Sequence, residues 1–119
     1  MTKQEMLQRT KSFALQVVKT VLALPRLDTA GNLGKQLLRS GTSVGANYRA
    51  ACRARSTADF VAKLKIVEEE CDESIYWMEL LVDAGLFPLR YLDGLLREAN
   101  EILSMIVAAL RTLRLRHQS

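Results

Sequence analysis

The amino-acid sequence predicts an all-α protein, an antiparallel up-down-up-down four-helix bundle forming a single domain over residues 1–119. Three observations carry that prediction. Helix formers dominate: apolar residues make up 49% of the chain, with only 2 Pro and 6 Gly available for turns. Apolar side chains recur at intervals of three and four rather than two. The length is that of one ordinary domain, sufficient to bury a core without staples.

The first helix is expected over about residues 4–24, where Met6, Phe13, Val17, Val21 and Leu24 fall at helical spacing until Pro25 stops it. Asp28, Thr29 and Gly31 are turn-forming types and predict a loop. The second helix follows over about 31–54. Its Leu33, Leu37, Val44, Tyr48 and Ala51 share one face, beside a strip of small side chains at Gly34, Gly41, Gly45 and Cys52. Such a strip lets a neighbouring helix come close. The run Ser40, Gly41, Thr42, Ser43 also lowers helix propensity and leaves room for a kink.

The third helix, about 57–84, has the clearest start: Ser56 with Asp59 three residues on resembles a capping box. Phe60, Leu64, Val67, Cys71, Ser74, Met78 and Leu81 then alternate four and three apart, as the seam of a bundle helix does. Gly85 is the natural stop. After Pro88 the fourth helix, about 89–115, carries Leu92, Leu95, Leu96, Ala99, Ile102, Leu103, Ile106, Leu110 and Leu113 on one stripe before a basic tail, Arg114 to Ser119, expected to fray.

Composition narrows the function. No apolar run approaches bilayer length and the N-terminus is polar, so a cytoplasmic protein with no membrane partner is expected. The two cysteines, Cys52 and Cys71, sit in apolar helical patterns without ligand spacing and read as buried thiols. Metal and cofactor sites are not expected, because a carboxylate di-metal bundle needs Glu-x-x-His pairs and the one histidine is His117 in the tail. Catalysis is not expected either: no nucleophile has a nearby base, and Gly31, Gly34, Gly41 and Gly45 match no phosphate-loop template.

The net charge of +4 conceals an asymmetry. Residues 1–57 carry ten Lys/Arg against two acids, whereas residues 58–119 carry seven against eleven. On the second helix Lys35, Arg39, Arg49 and Arg53 project within an arc of roughly 80°, opposite the apolar face. This stripe either neutralises nucleic-acid phosphates or pairs with acids of the protein itself, such as Glu68, Glu69, Glu70, Asp72 and Glu73. Arg111, Arg114 and Arg116 are secondary phosphate candidates. No aromatics alternate with these charges, so base stacking has no support. On the third helix Ile66, Tyr76, Trp77 and Leu80 lie off the seam and predict an oligomer interface, the alternative being that Trp77 covers a loop.

The stretch from Leu37 through Arg39-Ser40-Gly41-Thr42-Ser43-Val44-Gly45-Ala46-Asn47-Tyr48-Arg49 to Arg53-Ala54-Arg55-Ser56, Asp59-Phe60 and Lys63-Leu64 resembles the bacterial 23S rRNA intervening-sequence proteins. The same fold group includes the accessory variability protein of diversity-generating retroelements. The resemblance implies a homopentameric ring and, from the retroelement relative, a basic surface that contacts RNA or DNA and a reverse transcriptase. By position, Arg39, Ser43, Asn47, Arg55 and Ser56 match the family's polar motif residues. Many members have Glu-Gly where this chain has Ala50 and Ala51, so a role for that acid does not carry over. Physically, Ser40, Ser43 and Asn47 lie along the edge between the core and basic faces of the second helix and suit bonds to neighbouring backbone, and Arg55 and Ser56 suit a helix cap. The sequence thus predicts a non-enzymatic homo-oligomeric binding or assembly protein associated with nucleic acid, the alternative being a scaffold or adaptor for other proteins.

Overall fold

Thr2 opens the first helix by closing a reciprocal capping box: its hydroxyl accepts from the Glu5 N–H at 3.0 Å, and the Glu5 carboxylate accepts from the Thr2 N–H at 3.2 Å. The structure, a computed structural model, describes residues 1–118 in four helices: α1 (Lys3–Ala23), α2 (Asp28–Cys52), α3 (Thr57–Asp83) and α4 (Leu89–Gln118). The expected frayed tail is helical as far as Gln118; Ser119 and the side chains of His117 and Gln118 lie outside the described residues.

Two expectations for α2 are corrected. It begins at Asp28, not near residue 31, because Asp and Thr also suit a first helical turn, where a carboxylate meets the positive end of the backbone dipoles. It is also unbroken through the Ser-Gly-Thr-Ser run. The Thr42 and Ser43 hydroxyls donate back to the Leu38 and Arg39 carbonyls at 2.7 and 2.6 Å, so they follow the helix instead of competing with it. The small strip meanwhile is pressed against α1. A Cβ at Gly41 would stand 2.7 Å from a Val17 methyl, and one at Gly45 would stand 3.2 Å from the Thr10 carbonyl oxygen.

α3 starts on Ser56, whose hydroxyl accepts from the Asp59 N–H at 3.0 Å. The return bond goes one residue further back than expected, from the Arg55 N–H to the Asp59 carboxylate at 3.4 Å. The stop at Gly85 is a Schellman turn: φ is +71°, Gly85 N–H donates to Val82 and Leu86 N–H donates to Leu81.

Packing follows chain order: α2 lies against α1 and α3, and α4 closes the bundle against α3 and, least extensively, α1. This is the antiparallel four-helix arrangement, 51 Å long and 21 Å across. Phe13, Leu37, Leu64, Met78, Leu81, Leu92, Ile102 and Leu110 fill its centre with essentially no exposure. Within it the Ser74 hydroxyl lies 2.9 Å from that of Ser40, joining α3 to α2 by a buried polar pair. Cys71 is buried too, its thiol donating to the Ala99 carbonyl, and burial pushes its pKa up to about 12.

Candidate nucleic-acid interface

Antiparallel connectivity places the N-termini of α1 and α3 and the C-termini of α2 and α4 at the same end of the bundle. Basic residues far apart in sequence are thereby gathered. A depression at this end is lined by Lys3, Arg55, Ser56, Thr57, Phe60 and Leu113, and the Lys3 ammonium sits 5.2 Å from the centre of the Phe60 ring. Beside it, a shallow groove of about 700 Å³ runs between the end of α2 and the start of α3, lined by Arg49, Arg53, Arg55 and Lys63 over Ala46 and Ala50.

Asp59 is the one acid lining that groove. Lys63 bonds it at 2.8 Å, and this hydrogen bond, more than the charge of Arg55, holds its carboxyl below the ordinary carboxylate value. Arg49 and Arg53 have no ion pair among the described residues. Two fork-shaped guanidinium donors beside two further cations, on a surface open to solvent, suit the oxygens of a phosphodiester chain.

The predicted stripe on α2 is divided by the fold. Arg39 turns to α3 and bonds Glu70 at 3.1 Å and Glu73 more closely, so here the pairing alternative describes the geometry. Hydrogen bonding to Arg39 lowers the Glu73 pKa. Lys35 is exposed but lies nearly four turns from Arg49, away from the groove. Arg111, Arg114 and Arg116 are exposed on the last turns of α4, which continues past Leu113 at the basic end. Lys3, Arg55 and Lys63 were not among the phosphate contacts expected from the sequence, where Arg55 was expected to serve the α3 cap. The signal for them lay in topology: the acid-free run from Thr29 to Ala58 ends where α1 begins and α4 finishes.

The expected interface residues on α3 separate likewise. Ile66 and Tyr76 are exposed, at 40% and 54%, among acidic side chains. Trp77 is half-buried against the core margin, its indole N–H donating to Glu73 at 3.2 Å and its ring meeting Tyr76 edge-on at 5.2 Å; Leu80 is also half-buried. Of the motif residues, Ser43 donates to the Arg39 carbonyl and Asn47 to the Ser43 carbonyl at 2.8 Å, a ladder of bonds along α2. Arg55 and Ser56 form the α3 cap described above.

The described residues hold no cluster of three or more His, Cys, Asp or Glu arranged to bind a metal, and none of their helices is long and apolar enough to cross a membrane. What the fold and surface define is a small helical bundle with a cationic end. The chain belongs to the 23S rRNA-intervening sequence protein family, whose model matches residues 2–108. A crystal structure of a protein with unknown function from the S23 ribosomal protein family of Bacteroides thetaiotaomicron is similar at TM-score 0.82 and 32% identity, over 88% of this chain and 97% of that one. No curated protein matches the chain.

Proposed function

We propose that this protein is a non-enzymatic, homo-oligomeric binding module that holds RNA or DNA by the phosphate backbone at its basic end. The observation that carries this reading is the convergence of Arg49, Arg53, Arg55 and Lys63 on one open groove with a single acid between them. Lys3, Arg111 and Arg114 extend the same cationic end around the bundle. Contacts of this kind neutralise phosphates without reading bases, and their strength falls steeply with salt.

The test is duplex binding as a function of salt by fluorescence anisotropy. Replacing Arg53 and Arg55 together by Gln is expected to reduce the slope of log K against log salt by about 2, while Arg39→Gln leaves it unchanged because that side chain faces α3. Absence of binding at about 50 mM salt, or an unaltered slope in the double variant, overturns the reading.

The second reading is a scaffold or adaptor for other proteins, a reverse transcriptase among them. It draws on the exposed Ile66 and Tyr76 on the acidic side of α3. Under that reading nucleic acid leaves the protein unbound, and charge removal at the basic end has no consequence for partner capture.

A further inference from the structure

Arg49 and Arg53 also border a second groove, of about 500 Å³, which lies between α1 and α2. Its floor is apolar. Leu7, Ala14 and Gly45 are half-buried there, and the bare Gly45 lets α2 come close to the α1 backbone: a Cβ would stand 3.2 Å from the Thr10 carbonyl oxygen. Its walls are polar. Gln4, Gln8 and Lys11 stand about one turn apart along the edge of α1, and Arg49 and Arg53 along the facing edge of α2, all five exposed. No acid lines this groove, and none of its three cations has an ion pair among the described residues.

The volume falls within the roughly 300–1,000 Å³ of small-molecule sites, and the lining restricts what can fill it. Three cations without an acid call for an anion. Two side-chain amides on the wall call for an occupant that is polar along its edge as well. A fatty acid would meet the cations with one head group and leave both amides against hydrocarbon. Inorganic phosphate would use the cations and leave the floor bare. A nucleoside polyphosphate supplies every part: a flat heterocycle for the floor, ring nitrogens and an exocyclic amine for the amides, and several charged oxygens for the guanidinium forks. Adenine in particular offers N6 and N7 to a glutamine amide. The groove is long enough to hold one, since Gln4 to Ala14 covers about 15 Å of helix axis.

We infer that the α1–α2 groove is a binding site for an adenine nucleotide. The base lies on Leu7 and Gly45 with its edge toward Gln4 and Gln8, and the phosphates cross the groove to Arg49 and Arg53, with Lys11 closing the inner end. This site shares two arginines with the phosphate contacts of the proposed function but does not rest on them, because it uses neither Arg55 nor Lys63.

Isothermal titration calorimetry of the full chain with ATP, in EDTA and about 50 mM salt, tests it. Saturable binding of one ATP per chain is expected, at least about 10-fold tighter than tripolyphosphate or adenosine, each of which supplies only part of the contacts. Lys11→Gln and Gln8→Ala are each expected to weaken ATP binding by about 3–10-fold, whereas Lys63→Gln, in the other groove, changes it by less than about 2-fold. Lys11 and Gln8 are exposed, and helical circular dichroism separates loss of the site from loss of the fold; should one variant lose it, the other carries the test. No saturation by about 5 mM ATP overturns the inference. So does tripolyphosphate binding as tightly as ATP, which would reduce the groove to a polyanion patch, or an affinity indifferent to both Lys11→Gln and Gln8→Ala. Under the nucleic-acid reading Lys63→Gln weakens duplex binding while sparing ATP, so either reading can fail without the other.

Discussion

At Gly41 one absent carbon sets how close two helices stand. A Cβ there would meet both methyls of Val17 at 2.7 and 2.8 Å, and Val17 is completely buried, so neither methyl has space to withdraw into. Gly94 on α4 is the contrasting case, exposed and with nothing beyond its chain neighbours and its own helix backbone within 4 Å of where its Cβ would be. Gly41→Ala is expected to destabilise by about 1–3 kcal/mol despite better helix propensity, whereas Gly94→Ala stabilises by up to about 1 kcal/mol. Urea unfolding of the two variants decides the matter: equal effects would mean that the glycine strip does not set the α1–α2 distance. The strip was legible in the sequence because residue size and helical spacing suffice to draw it. The partners of Arg39 were not, since Glu70 and Glu73 are 31 and 34 positions away and only the packing of α3 on α2 selects them from the neighbouring acids.

At the scale of the elements, two arginines tie helices together across seams. Arg39 joins α2 to α3, and Arg9 joins α1 to α4 through paired 2.7 Å bonds to Glu98 and a further bond to Glu101. The Arg9 tie matters more, because α1 and α4 share the slimmest contact of the bundle. Its hydrogen bond lowers the Glu98 pKa below the ordinary 4.5 and raises that of Arg9 further above its normal range. A carboxyl whose pKa is lower in the folded state contributes stability above its unfolded pKa and loses it as pH falls through the folded value. Arg9→Met is therefore expected to cost about 1 kcal/mol at neutral pH and nearly nothing well below the Glu98 pKa. Thermal melts at pH 7 and about pH 2–3 measure the difference; a deficit of the same size at both would assign the loss to packing alone. Helix interiors and stops were readable from pattern, as the seam of α3 and the Gly85 turn illustrate. The Arg9 tie was not, because it depends on which acids α4 brings beside α1; the early start of α2 was missed because Asp28 and Thr29 suit a first helical turn as well as the loop they were expected to form.

Over the whole molecule the charge runs along the 51 Å axis, and chain connectivity creates that polarity from a sequence that is merely basic in its first half. The ends of α2 and α4 and the starts of α1 and α3 carry an excess of cations, whereas at the opposite end Asp28, Glu79, Asp83 and Asp93 offset Arg26 and Arg90. Antiparallel order was predicted, and superposing it on the charge map would have located the groove, which a reading confined to one face of α2 did not. Aromatic side chains follow the opposite distribution. Tyr76, Trp77, Phe87 and Tyr91 are remote from the basic end, Tyr48 is buried, and Phe60 is half-buried under Lys3. A strand whose bases must stack on protein rings finds no platform there, while a duplex, whose phosphates already face outward, needs none. The expected outcome is that a duplex of about 20 base pairs binds at least as tightly as either of its strands, without sequence preference and with a slope near −0.9 per phosphate contacted. Competition titrations at matched salt measure this. A single strand preferred by about 10-fold or more, with weak salt dependence, would place the contact on bases and remove the phosphate-backbone account of the basic end.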